Sequence, residues 1–436
     1  MSNPTRRERD TIIRSLKAGV VPRLGLQHIQ VGRAREIAAL VADIRAITEG
    51  GAAIRFVIGD YGSGKTFFLN LAKIVALRQG LVVMSADLGP DRRLHATGGQ
   101  ARNFYAEMAR NLATQTKPEG GAMASMVERF VTLARREAEE SGRRTAQVIE
   151  ERLGHFQEMT GGFSFAQVVR AYWEAYDRDN DALRTAALRW LRGEFSSKTE
   201  ARKLLDVRDI IDDDNVYDML KLVAAFACAA GYKGLLVSVD EMVNLYKLTS
   251  SQARSSNYEQ ILRILNDVLQ GGAAHIGFLM GGTPDFLRNS RRGLYSYPAL
   301  QSRLAPNAFL REGLVDLTGP VIELDSLTAE ELYILLSKVR AVMLDDPEEL
   351  PDEALGAFMH HCANRIGEAY FRTPRNTVTA FVDMISVIQQ NPGTVWSDLI
   401  EETVVATDAG DDMRDIEDAP GPAVPAGGDD LASFRL

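Results

Sequence analysis

Apolar positions along this chain recur with two periods. Within "IQVGRAREIAALVADIRAITEGG" (29–51), Ile37, Leu40, Val41, Ile44 and Ile47 fall at helical spacing, and Gly50-Gly51 ends the run. Directly after it, "AIRFVIG" is short and continuously apolar, the signature of a strand buried on both faces. The same strand signature returns at "LVVMSADLG" (81–89), "GLLVSVDE" (234–241), "HIGFLMGGTP" (275–284) and "PVIELDSL" (320–327). Five such strands separated by helical stretches predict an α/β fold with a parallel sheet between helices.

The helical stretches are unequal. Residues 5–18 form an Arg-rich amphipathic pattern closed by Gly19 and Pro22; further helices are expected from the first strand's end to about Arg78 and at 100–115. From 117 to 215 the pattern is helical throughout, with one stripe at Met126, Phe130, Leu133 and Ala134 and another at Phe165, Val168, Val169, Tyr172 and Tyr176. These stripes read as packing between helices. Asn257 and Gln260 suggest the cap of a helix after the third strand, preceded by a Ser-rich loop with Arg254. Thr328 and Glu331 form a T-x-x-E capping box that opens a helical region over 329–406.

Composition is that of a globular chain, 45% hydrophobic and 25% charged over 436 residues. The two cysteines, Cys228 and Cys362, do not suggest a disulfide framework or a metal site; Cys228, within "LVAAFACAAG", reads as a buried small hydrophobe. The N-terminus lacks an apolar core of signal-peptide type, and the most apolar segment, 222–239, is broken by "GYK". A cytoplasmic protein that does not span a membrane is therefore expected. The net charge of −9 is concentrated at one end: residues 401–436 hold ten acids against Arg414 and Arg435, leaving about −1 for the rest. That tail, rich in Asp, Pro, Gly and Ala, cannot bury enough surface to offset chain entropy, so residues 407–436 are expected to be disordered.

The chemistry-bearing residues sit at strand ends. "GDYGSGKT" joins the first strand to a helix. Gly59, Gly62 and Gly64 allow a turn whose amides, with those of Asp60, Tyr61, Ser63 and Phe67, converge on phosphates. Lys65 would neutralise phosphate oxygens and Thr66 would ligate Mg²⁺. "VSVDE" ends a buried strand on two acids. Asp240 is expected to hold Mg²⁺ and Glu241 to activate water as general base. The strand ending in Thr283 is expected to lie between those two, with Thr283 orienting water or touching the γ-phosphate, or else serving the turn alone. Arg303, in "ALQSRLAP", is the first candidate for an arginine that reaches a neighbouring subunit's phosphate, ahead of Arg291 and Arg292. Arg375, or failing it Arg372, would fold down on the nucleotide from the C-terminal helices. Ile29, Val31, Gly32 and Arg33 are candidates for the adenine pocket.

In their order, "VGR", "GDYGSGKT", "VSVDE", "GGTP", "SRL" and "TPR" resemble the AAA+ superfamily, most of all the branch with origin-recognition and STAND-type ATPases. More closely, "GDYGSGKTFFL", "VDEMVNLYKL", "NYEQILRILND" and "GGTPDF" resemble the ATP-binding proteins of BREX phage-defence systems. The resemblance implies ATP and Mg²⁺ as cofactors, ATP hydrolysis, a homo-oligomer, and a defence complex with proteins such as a helicase; DNA is a candidate partner. It divides the chain into an ATPase core at 1–116 and 216–327, a helical insertion at 117–215, a helical lid at 328–406 and the acidic tail. The insertion exceeds what the core fold needs. Too few residues follow the lid for the winged-helix domain of origin-binding relatives, so partner contacts are expected in the insertion. Two functions stay open: an ATPase driving assembly on DNA or partner remodelling, and a slow nucleotide-gated scaffold without motor activity.

Overall fold

A computed structural model describes residues 3–311, 313–346, 349–366 and 374–402. The chain opens with α1 (Arg6–Lys17), α2 (Leu26–Ile29) and α3 (Ala34–Thr48), then β1 (Ala52–Ile58), α4 (Lys65–Arg78), β2 (Val82–Asp87) and α5 (Gln100–Arg110). Five helices follow before α11 leads back to the sheet: α6 (Met123–Ser141), α7 (Thr145–Gly154), α8 (Gly162–Asp177), α9 (Asp181–Leu191) and α10 (Lys198–Leu205). The sheet resumes through α11 (Val216–Ala229), β3 (Leu235–Asp240), α12 (Val243–Tyr246), α13 (Ser251–Leu269), β4 (Ile276–Gly282), α14 (Pro284–Arg288), α15 (Pro298–Leu304) and β5 (Val321–Glu323). Last come α16 (Ala329–Met343), α17 (Asp352–Ile366), α18 (Pro374–Gln390) and α19 (Trp396–Glu402).

All five strands are parallel, in the order β2-β3-β4-β1-β5. As expected, β4 lies between the strand leading into the glycine loop and the strand ending in Asp240. Strand residues alternate between two cores, as the period of two requires. Ile54, Phe56 and Ile58 face one core; Val57, with Val83, Leu236 and Leu279, faces the other against α3 and α4. One polar residue interrupts β1: Arg55 is buried, with a fork of bonds to Asp43 at 2.6 and 2.8 Å and further bonds to the Leu317 and Gly319 carbonyls. Those bonds offset the cost of burying its charge.

The helices between β2 and β3 share the first of these cores. Phe226 on α11 meets Phe130 at 5.1 Å and Phe165 at 5.4 Å between ring centroids, and Phe165 in turn meets Trp190. These helices therefore complete the sheet's own hydrophobic layer. Tyr176 departs from its expected stripe; it is exposed beneath the Arg135 guanidinium. Two local expectations fail nearby. Helix α13 begins at Ser251, with the Ser250 hydroxyl accepting from Ala253 N, so the Ser-rich stretch is helical. Asn257 is a fully buried mid-helix residue whose side chain pairs with both backbone groups of His95 at 3.0 Å, a tertiary use that outcompetes capping. Cys228 is half-buried rather than buried.

A separate core holds the C-terminal helices, and α1 belongs to it. Ile12 is fully buried among Leu336, Phe358, Phe381 and Ile385, and the Thr379 hydroxyl donates to the Leu16 carbonyl. Helix α1 is fixed at its start by a capping box between Thr5 and Glu8, and α16 by the expected one between Thr328 and Glu331. Truncating Ile12 to Ala should cost about 2–4 kcal/mol, a cavity-forming loss, read as a lower denaturation midpoint. An unchanged midpoint would show that α1 does not hold the C-terminal helices.

Candidate functional site

The carboxyl ends of the strands lie level. Ile58 is opposite Gly282, so the glycine loop, Thr283 and Asp240 border one crevice, and the exposed Asp87 stands opposite Asp240 on the neighbouring strand. Ligands of open parallel sheets bind at that edge. The loop from Gly59 to Gly64 turns there through left-handed glycines at Gly62 (φ 79°) and Gly64 (φ 88°), conformations that an L side chain adopts only with strain. Helix α4 starts at Lys65, so its first amides point into the crevice.

Lys65 lies at the centre. Its ammonium donates to the carbonyls of Gly59 and Asp60 at 2.8 Å and lies 5.4 Å from the Tyr61 ring centroid. Burial pushes its pKa down, opposed by Asp240, Glu241 and Asp60. Across the crevice the Thr66 hydroxyl donates to one oxygen of the buried Asp240 carboxylate at 2.8 Å, while the other oxygen accepts from the Glu241 amide at 2.8 Å. Glu241 itself has a left-handed backbone (φ 58°), an uncommon conformation for a non-glycine residue at the end of a strand. Its carboxyl faces the crevice with its pKa raised, by desolvation first and then by Asp240 and Asp87. Asp87 is pushed up in the same way, by desolvation and then by Asp240. Sequence reasoning passed over this third acid, although "SAD" at a strand end carried the same cue as "SVD".

Gly281 shapes the acid side of the crevice. A Cβ there would lie 2.5 Å from an Asp240 carboxylate oxygen and 3.0 Å from Leu69. A Gly281→Ala chain should therefore displace Asp240 from Thr66, a strain of about 1–3 kcal/mol. Its binding of Mg²⁺ with nucleotide is expected to weaken by about tenfold, read by titrating the metal; unchanged metal affinity would place Asp240 outside the metal site.

Away from the acids the cavity becomes apolar. Ile29, Val31 and Arg33 line it, as expected for the base end, but Gly32 does not. Gly32 instead makes room for the Glu331 side chain at the start of α16. The Arg33 guanidinium is committed to the Ser63 carbonyl at 2.6 Å and the Asp325 carbonyl at 2.8 Å, so it braces the glycine loop from behind. Leu16, in the last turn of α1, and Val20, Val21 and Pro22, from the turn after it, form a wall that the sequence reading missed, and Leu335 and Val378 complete it. Adjacent aromatics after the loop divide between layers: Phe68 is buried in the sheet core, whereas Phe67 packs against the C-terminal helices.

The remaining candidates fall on both sides of this boundary. Thr283 is buried at the cavity wall, and its oxygen accepts from Phe286 N as the cap of α14. Arg375 is exposed at the start of α18 and lines the cavity. Arg372 lies outside the described residues. Arg303 is not at this cavity; it donates to the Ala299 carbonyl one turn earlier at 2.7 Å. Arg292 lies over the Tyr246 ring and donates to Leu248 O, and Arg291 is exposed at the turn after α14.

These residues fit a nucleoside triphosphate. The glycine loop offers amides, the buried Ser63 hydroxyl makes no hydrogen bond among the described residues, and an apolar wall stands where a base would lie. Among the described residues no group of three His, Cys, Asp or Glu could by itself hold a metal ion. A parallel α/β sheet with this loop defines a P-loop nucleotide-binding protein. The profile of the BREX system ATP-binding protein BrxC/D family matches residues 5–404, so the chain belongs to that family of ATP-binding phage-defence proteins. No curated protein matches it. Among the described residues no helix is long and apolar enough to cross a membrane.

Proposed function

We propose that the chain is an ATPase of AAA+ type that couples ATP binding and hydrolysis to assembly on DNA, or to remodelling of partner proteins, in BREX defence. The observation that supports this best is the Thr66–Asp240 bond with Glu241 beside it and Lys65 across from it. Lys65 and the loop amides would hold the β- and γ-phosphates, and Thr66 and Asp240 would hold Mg²⁺, which when bound neutralises charge developing on the phosphate oxygens. Glu241 would take a proton from the attacking water. The C-terminal helices would act as the lid, with Arg375 reaching the phosphates from above and Thr283 orienting water through its free O–H direction.

Arg303 would act on a neighbouring copy's nucleotide. Its absence from its own chain's cavity favours that role, and with it a homo-oligomer, in the company of defence proteins such as a helicase. The 117–215 region would be the insertion, carried on the sheet of the ATPase core. A second reading, a slow nucleotide-gated scaffold, draws on the Thr283 oxygen being engaged as a helix cap. ATPase rate against added single- and double-stranded DNA, with mass measured in ATP, separates the two. A strict monomer without DNA-stimulated hydrolysis would overturn the first.

A further inference from the structure

The outer face of α1 is cationic. Arg6, Arg7 and Arg14 border one surface depression with Thr11 and a single acid, Asp10. All three arginines are exposed. Arg7 comes within 3.8 Å of Glu119, and the field of Glu119 also reaches Lys73 on α4, beside Arg23. Arg23 is exposed, whereas Lys73 is partly buried. Four exposed cations, Arg6, Arg7, Arg14 and Arg23, against Asp10 and Glu119 leave a local surplus of two positive charges on a chain whose net charge is −9. Other basic residues of α1 are used internally: Arg9 bonds the Met343 carbonyl and Asp345, and Lys17 faces Asp383.

We propose that this strip, from Arg6 along α1 towards Arg23, binds the phosphodiester backbone of nucleic acid. Arg7 and Arg14 are two helical turns apart, about 11 Å along the axis, a span that can follow successive phosphates of one strand. Contacts of these guanidinium groups with phosphate oxygens would position the backbone and carry no sequence information directly. The same helix ends at Leu16 and Gly19 in the nucleotide cavity and packs by Ile12 on the C-terminal helices. A bound backbone would thus rest on an element that touches the nucleotide. This inference rests on the nucleic-acid half of the function proposed above.

The test is binding of a short labelled DNA duplex and the matching single strand over a range of salt concentrations. The full-length Arg6→Gln/Arg7→Gln/Arg14→Gln chain is expected to bind about tenfold or more weakly, with a salt slope lower by about 2–3. Arg14→Gln alone should lower the slope by about 1. Arg136→Gln, at an exposed site on α6, should leave both unchanged, and all variants should keep the wild-type melting temperature and ATP affinity. Equal affinity and slope in the triple variant and the wild type would overturn the strip while leaving DNA assembly standing. A wild-type chain that binds neither nucleic acid would overturn both. Arginine-dependent binding to vesicles of anionic phospholipid, without binding to DNA, would also overturn the strip.

Discussion

Replacing Lys65 with Ala should lower ATP affinity by about 100-fold, as expected when charged hydrogen bonds worth about 1.5–3 kcal/mol are lost. The unliganded variant should melt with the wild type. Burial lowers the Lys65 pKa, so folding disfavours its charged form, and the fold does not depend on that charge for its stability. Wild-type protein should gain stability with ATP in proportion to ligand excess, whereas Lys65→Ala should gain little at the same concentration. Both readings come from one thermal-shift series. If the variant keeps the ATP-induced shift, Lys65 does not contact the nucleotide.

Glu241→Gln should behave in the opposite way. ATP binding is expected to persist while turnover falls by about 100- to 10,000-fold, the range for loss of a positioned general base. Gln is nearly isosteric, and a left-handed backbone costs Gln and Glu about the same, so the comparison isolates the charge. As the general base proposed above, Glu241 would act in the wild type as the carboxylate. Because desolvation, Asp240 and Asp87 raise its pKa, rate should be lost on acidification sooner than for an ordinary carboxylate. The residual rate of Glu241→Gln should lack that acid limb. Equal turnover in the two proteins would remove Glu241 from the chemistry.

The sheet and its chemical edge were legible because each rests on local signals. Five short apolar runs gave five strands, and the glycine loop, the Asp240–Glu241 pair and Thr283 each follow the end of one of them. Features set by distant contacts were not legible. Arg55 sits inside an apolar run because Asp43, twelve residues earlier, pairs with it. Asn257 has the residue type of a cap, but His95 supplies its partners from another part of the chain. The wall at Val20–Pro22 is a short apolar run between breakers, and only folding shows that it faces the glycine loop. Gly32 matched the expected motif by position, yet its small size serves the approach of Glu331.

The burial of Ile12 among the C-terminal helices also bears on how the protein is made. Lys17 and Ala329 are separated by 312 positions, yet their helices share one core. At about 5–20 residues per second, α1 leaves the ribosome roughly 15–60 seconds before α16 follows. Throughout that interval its apolar stripe has Ile29 and Phe67 beside it but lacks the C-terminal helices that bury it, while the sheet can already close around β1, β3 and β4. The nucleotide cavity, walled by Leu16 on one side and Val378 on the other, is thus assembled last, once synthesis has passed α18.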